Sequence, residues 1–327
     1  MNRIKRAAVA LMCMGAAALP AACLAQAASY PNRTVHVVVP SAAGGPTDAV
    51  ARLFSDKLAA QWGQSFVVEN RPGANNIIGS QVVAKAAPDG YTLLVALDST
   101  LTMQQWLYQK LPYDPARDFV PVALVLRGPL VLLTDAAKGP KNIKELFEQI
   151  KAQPGKVSIG VGTLITQLGA ELLKLQFGLG NLTVVPYKGS AGTTQGLLTN
   201  DVTLTMDAVT TSLPHIRSGR FRVLGNLSPN PISALPNVPS FAGETGVSGF
   251  EINSWAGFVG PAGMAPEIVT KLNQEMMRTL ALPDVKERFA ALGVEAGGGT
   301  PTEFAAYVRS ESEKWGRVIK QSGFKVE

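Results

Sequence analysis

The chain has 327 residues, 46% hydrophobic and 17% charged, with 30 Lys and Arg against 24 Asp and Glu, two Cys and two His. The apolar fraction supports packed cores, and the length points to two domains of about 150 residues each. So few thiols and imidazoles argue against a disulfide scaffold, a His/Cys metal centre and a histidine-based triad, and the lack of a Lys/Arg tract interleaved with aromatics argues against nucleic-acid binding.

The N-terminus reads as an export signal. Arg3, Lys5 and Arg6 form a basic region, an apolar run from Ala7 to Leu19 follows, and Ala25-Gln26-Ala27 supplies a small-x-small cleavage pattern, which places a signal peptide over residues 1–27. The run is shorter than the ~20 residues needed to span a bilayer, so a soluble protein secreted to the periplasm is expected. Cys13 and Cys23 leave with that segment, and losing three basic residues without an acidic one halves the formal net charge of +6. A lipoprotein anchored at Cys23 is the rival reading, disfavoured by Pro20 in the preceding Leu19-Pro20-Ala21-Ala22.

From Thr34 onward, β-branched runs alternate with helical-period segments. Thr34–Val39 and Thr92–Leu97 read as strands, and Asp48–Gln61 reads as a helix with Val50, Leu53, Phe54 and Leu58 on one face. The pattern repeats through helices at 143–152 and 166–177 and strands at 157–161, 182–186, 202–206 and 221–227, giving a second α/β unit. Phe119–Thr134 reads as two extended stretches broken at Arg127-Gly128-Pro129. With Phe250–Val259 it supplies two hinge crossings. Ser228–Phe241, with four prolines and no helical period, reads as an ordered surface connection. Three helices, 267–280, 283–292 and 302–322, close the chain. The stripe Phe304, Tyr307, Val308, Trp315, Val318 and Ile319 on the last is expected to pack on the first lobe.

Glycine turns that feed helices carry the binding chemistry. Pro40 to Asp48 joins a strand to a helix with proline in its first turn, and such a turn presents unpaired N–H groups at the positive end of the helix dipole. It reads either as an anion socket or as a tight turn in which Asp48 complements the dipole. It lacks the spacing of a dinucleotide fingerprint and the lysine of a P-loop. Similar turns follow at Gly160–Thr163 and Pro186–Thr194, and turns beyond the carboxyl ends of strands in both units would face a shared cleft. Asp98 and Asp207, also at strand ends, read either as helix caps or as cleft residues. Trp255 is assigned to hinge packing, His36 to the core and His215 to a helix surface.

These residues resemble a known family. Tyr30-Pro31-Asn32-Arg33 through Arg52, Val68–Ala74, Ala87–Leu94, Leu111–Pro115, Val185–Ala191 and Leu235–Ser240 together are similar to the Bug family, extracytoplasmic receptors associated with tripartite tricarboxylate transporters. The resemblance implies an α/β, two-lobed Venus-flytrap fold of the periplasmic binding protein type with two hinge crossings. Lobe 1 would comprise residues 28–127 plus 252–327, and lobe 2 residues 128–251. It also implies a ligand carboxylate held mainly by main-chain amides and hydroxyls. Carried over, Ser41, Ala43, Gly44, Thr47 and Asp48 would form the first-lobe socket, and Gly162, Thr163, Ser190 and Ala191 would close from the second lobe. Asp207 matches a family aspartate.

Two stretches depart from the family pattern. Gly160–Thr166 is more apolar than usual, with Gln167 where histidine is common, so Leu164 and Ile165 suggest room for an apolar or aromatic ligand body. Asp98-Ser99-Thr100-Leu101 replaces a Ser/Thr-rich segment that often includes histidine, so Asp98 in the cleft would favour a ligand with a donor or cationic group. The expected function is capture of a small organic carboxylate, without cofactor, metal or catalysis, by a monomer that serves membrane transporter subunits. A sensor that hands its closed form to a two-component partner is the alternative, and a hydrolase is a weaker one, since no thiol, G-x-S-x-G elbow or metal cluster is present.

Overall fold

The computed structural model describes residues 30–247 and 250–326, so the expected signal peptide lies outside the described residues. Chain order is β1 (Val35–Val39), α1 (Pro46–Trp62), β2 (Phe66–Asn70), α2 (Ile77–Ala84), β3 (Thr92–Leu97), α3 (Asp98–Thr102) and α4 (Gln104–Leu107). The long strand β4 (Phe119–Asp135) follows, then α5 (Ile143–Ala152), β5 (Ser158–Val161), α6 (Leu164–Phe177), β6 (Thr183–Pro186), α7 (Gly189–Leu198), β7 (Leu204–Ala208), α8 (Val209–Arg217) and β8 (Phe221–Asn226). The remainder is α9 (Phe241–Thr245), β9 (Asn253–Pro261), α10 (Pro266–Ala281), α11 (Pro283–Leu292), β10 (Glu295–Ala296) and α12 (Pro301–Ser322).

The result is a mixed α/β molecule of two lobes. In the first, β2, β1 and β3 are parallel and β9 runs antiparallel to β3. In the second, β6, β5 and β7 are parallel, while β8 and β7 pair antiparallel with β4. Each parallel set is covered by helices because its strands are apolar on both faces. Helix α1 shows how the sequence does this: Pro46 fixes its first turn, Val50, Ala51, Phe54 and Leu58 are buried, and Gly63 at φ 66° ends it by donating to the Ala59 carbonyl.

Strand β4 joins the lobes, and here the expected break is absent. Phe119 to Pro129 pairs with β9, and Leu130 to Asp135 pairs with β7 and β8, in one continuous 17-residue strand. Pro129 has no N–H to give to a ladder, so the strand changes partners at that residue without turning.

Two further expectations change. His36 is not in the core: β1 buries Val35, Val37, Val38 and Val39, while His36 faces outward and pairs with Glu69 at 2.6 Å. The stripe on α12 does not pack on one lobe. Phe304, Tyr307 and Val308 join Trp255 and Leu101 in a first-lobe cluster, whereas Trp315, Val318 and Ile319 pack among Ile143, Leu168 and Leu173 of the second. A helix of 22 residues is about 33 Å long, enough to lie across both. Trp255 is fully buried on crossing strand β9, edge-on to Phe304. His215 sits half-buried on α8 against Phe221. Among the described residues, no helix is long and apolar enough to cross a membrane.

Candidate functional site

A cavity of about 410 Å³ opens where the carboxyl ends of β3, β5, β6 and β7 converge. Asn75, Asn76, Asp98, Ser99 and Gln104 line it from the first lobe and Ser254 from the crossing strand. Gly162 to Gln167, Ser190, Asp207 and Ala208 line it from the second. An adjoining cavity of about 140 Å³ is lined by Pro46, Thr47, Trp255 and Thr210, and shares Leu97, Ala208 and Ser254 with the first.

The turn from β5 into α6 is built around Gly162 and Thr166. A Cβ on Gly162 would lie 2.6 Å from the Gly189 backbone, so glycine lets the starts of α6 and α7 touch, and the Gly189 N–H donates to the Gly162 carbonyl at 3.1 Å. The Thr166 hydroxyl accepts from the amides of Gly162 and Thr163 at 3.2 and 3.0 Å and donates to the Thr163 carbonyl. Neither α6 nor α7 has an acidic residue in its first turn. The N–H groups of Leu164 and Ile165 lie in a helix's first turn, where amides have no intrahelical acceptor, and the positive end of α6 meets the cavity uncancelled by any charge of its own.

Two buried carboxylates face the same space. Asp98, 5% exposed, opens α3 and accepts from the amides of Ser99 at 2.5 Å and Trp255 at 3.3 Å. Burial pushes its pKa up to about 6, although those amides and the Ser254 hydroxyl pull the other way, and Glu311 on α12 adds to the rise. Asp207, at the end of β7, accepts from the Ser190 hydroxyl at 2.7 Å, the Ala208 amide at 2.8 Å and the Thr193 hydroxyl at 3.4 Å. Burial raises its pKa as well, and these hydrogen bonds offset part of that rise.

The structure thus brings Asp98, Ser99, Gly162, Thr163, Ser190 and Asp207 to one cavity, with Thr47 in the adjoining one. Ser41, Ala43, Gly44, Asp48 and Ala191 line neither. The first-lobe turn is closed from within: Asp48 accepts from the Gly44 amide at 2.9 Å, Arg52 at 3.0 Å and Asn70 at 2.9 Å. Burial alone would raise its pKa, but Arg52, Gly44 and Asn70 outweigh it and hold the carboxyl below its ordinary value.

Several lining residues carry no sequence motif. Ala74, Asn75 and Asn76 lie consecutively at φ 45°, 51° and 75°, a left-handed run that asparagine tolerates better than most residues. Asn76 precedes α2 at its N-cap but makes no side-chain cap bond. Gln104 is buried and tied to the Asn75 carbonyl and to Tyr113. A Gly-Ala-Asn-Asn stretch before a helix was the one available sign of this loop.

Two α/β lobes joined by paired strands, with a ligand-sized cavity between them, define the class of bilobed solute-binding receptors. A family model described as tripartite tricarboxylate transporter family receptor matches residues 50–324. Protein BugT of Bordetella pertussis is 35% identical over 301 residues, covering 91% of this chain and 92% of BugT. An R. palustris protein solved with adipate superposes with a TM-score of 0.77 at 34% identity, covering 90% of this chain and 99% of that one. MatC from Rhodopseudomonas palustris with bound malate gives 0.73 at 32% identity, covering 89% and 100%. The chain belongs to the tripartite tricarboxylate transporter receptor family, as the Bug-like motifs implied, and the family is one of receptors, not enzymes.

Proposed function

We propose that this chain is a periplasmic receptor that captures a small organic carboxylate between its lobes and delivers it to the membrane subunits of a tripartite tricarboxylate-type transporter. The observation that carries this reading is the start of α6: a helix end without an acidic first turn, with Thr163 and Ser190 beside it, faces Ser99 and Asn76 of the other lobe across one cavity. Backbone amides and hydroxyls hold a carboxylate without a counter-ion, and contacts drawn from both lobes at once favour the closed form. Adipate and malate in the two solved relatives support the ligand class. The binding set is Asp98, Ser99, Gly162, Thr163, Ser190 and Asp207, extended by Thr47. The change of partners along β4 at Pro129 supports lobes of 28–127 plus 252–327 and 128–251.

Thermal melting with a panel of mono- and dicarboxylates, and native mass spectrometry of protein purified without refolding, test the reading together. A ligand at a hundred times its Kd stabilises by about 2.7 kcal/mol, so a true ligand raises the melting temperature by several degrees. A panel without any shift, together with protein that carries no acid on purification, would sink it.

A further inference from the structure

We propose that the ligand of this chain carries a cationic donor, such as a protonated amine, in addition to its carboxylate, and that Asp98 is the residue that selects it. The inference deepens the receptor reading and rests on it.

The cavity contains two carboxylates and no counter-charge. Among the residues that line it there is no Lys, Arg or His. Asp207 is saturated by Ser190, Thr193 and the Ala208 amide. Asp98 is different. The residue is only 5% exposed, it lines the cavity, and it accepts from the amides of Ser99 and Trp255, one on each oxygen, and from the Ser254 hydroxyl. A carboxylate offers about four acceptor sites across its two oxygens, so with three donors accounted for one site remains toward the cavity. The charged groups on the elements packed behind Asp98 offer no relief: Glu311 on α12 is acidic and pairs with Lys314, and Arg127 on β4 is stacked on Tyr307.

A dianion in this cavity would bring two more negative charges beside two that are already buried. A ligand with one carboxylate and one ammonium reverses that. Its carboxylate meets the uncancelled end of α6, and its ammonium meets Asp98, the acid with an acceptor site still open toward the cavity.

Matched probes that differ only at one terminus separate the two chemistries. Calorimetric titration would compare succinate with 4-aminobutanoate, glutarate with 5-aminopentanoate and adipate with 6-aminohexanoate, on the native chain and on Asp98→Asn. The expected result is at least tenfold preference for the amino acid in one or more pairs, and loss of that preference in Asp98→Asn, whose melting temperature is not lower. Diacids that bind as well as or better than their amino counterparts, or a preference unchanged by Asp98→Asn, overturn the inference and leave the receptor reading standing. If no member of any pair binds either protein, the receptor reading fails and the inference falls with it.

Discussion

Two strand-to-helix turns in this molecule start from the same recipe and end differently. Val39–Asp48 in the first lobe and Gly160–Thr166 in the second both run from a strand through glycine into a helix. Each has its exposed amides gathered by the third residue of the helix: Asp48 takes the Gly44 amide, and Thr166 takes those of Gly162 and Thr163. The geometry is shared and the charge is not. Asp48 sets a negative charge against the dipole of α1 and is itself matched by Arg52, so that end is less favourable to an anion. Thr166 satisfies the same amides with a neutral hydroxyl, and the positive end of α6 remains for a guest. The two turns thus differ at one position, a charged Asp48 against a neutral Thr166.

The comparison can be broken most severely at Gly162. Gly162→Ala places a methyl 2.6 Å from the Gly189 backbone, so α7 must move off α6. Overpacking of this kind costs about 1–3 kcal/mol of stability, and we expect ligand affinity to fall by about a hundredfold because the two helix starts are set relative to each other by that contact. Equal affinity by calorimetry would show that the turn does not shape the site. A sharper change is Thr166→Asp, which copies the first-lobe solution into the second. The cap is kept, so the apo protein should melt within a few degrees of the native chain, while affinity for any carboxylate drops by at least about tenfold, the effect of ~1.4 kcal/mol of repulsion. Unchanged binding would remove the α6 terminus from the site.

The reverse change has the smallest effect and lies in stability alone. Asp48→Asn should cost about 1 kcal/mol, the size of a lost partly buried cap and charge pair, and leave ligand affinity within twofold. Because the Asp48 carboxyl sits below its ordinary value in the folded chain, its contribution is fully present above the unfolded value of about 3.9 and is lost as pH falls through the lower folded value. The native and Asp48→Asn proteins should therefore differ in chemical denaturation at pH 7 and converge once the pH has fallen through the lowered folded value. A gap that persists at low pH would mean that packing, not charge, holds the turn.

Much of the fold was legible in the sequence because its strands are β-branched runs and its helices carry one apolar face. The failures share a cause, which is that local pattern does not name the partner. Arg127-Gly128-Pro129 has the composition of a turn, yet the strand runs straight through because its ladder changes hands there. His36 lies among four buried valines, yet it alone on β1 is exposed, where Glu69 of the neighbouring strand meets it. The stripe on α12 has one period along its whole length and two different cores beneath it. At the site, Asp98, Ser99, Gly162, Thr163, Ser190 and Asp207 were legible because strand ends that open helices are where open α/β sheets gather ligands. Asn75, Asn76 and Ser254 were not, since a left-handed backbone run and a residue on a crossing strand leave no spacing to read.

The seating of α12 bears on how the lobes move. Strands β4 and β9 alone would leave the halves free to swing, but a rigid rod with Phe304 lodged in one half and Trp315 in the other is a third tether. Any swing has to drag that rod across one of its two beds. The ring of Trp106, pressed on Gly316, lies where such sliding is felt first. The helix that couples the two halves is the same one that packs behind Asp98.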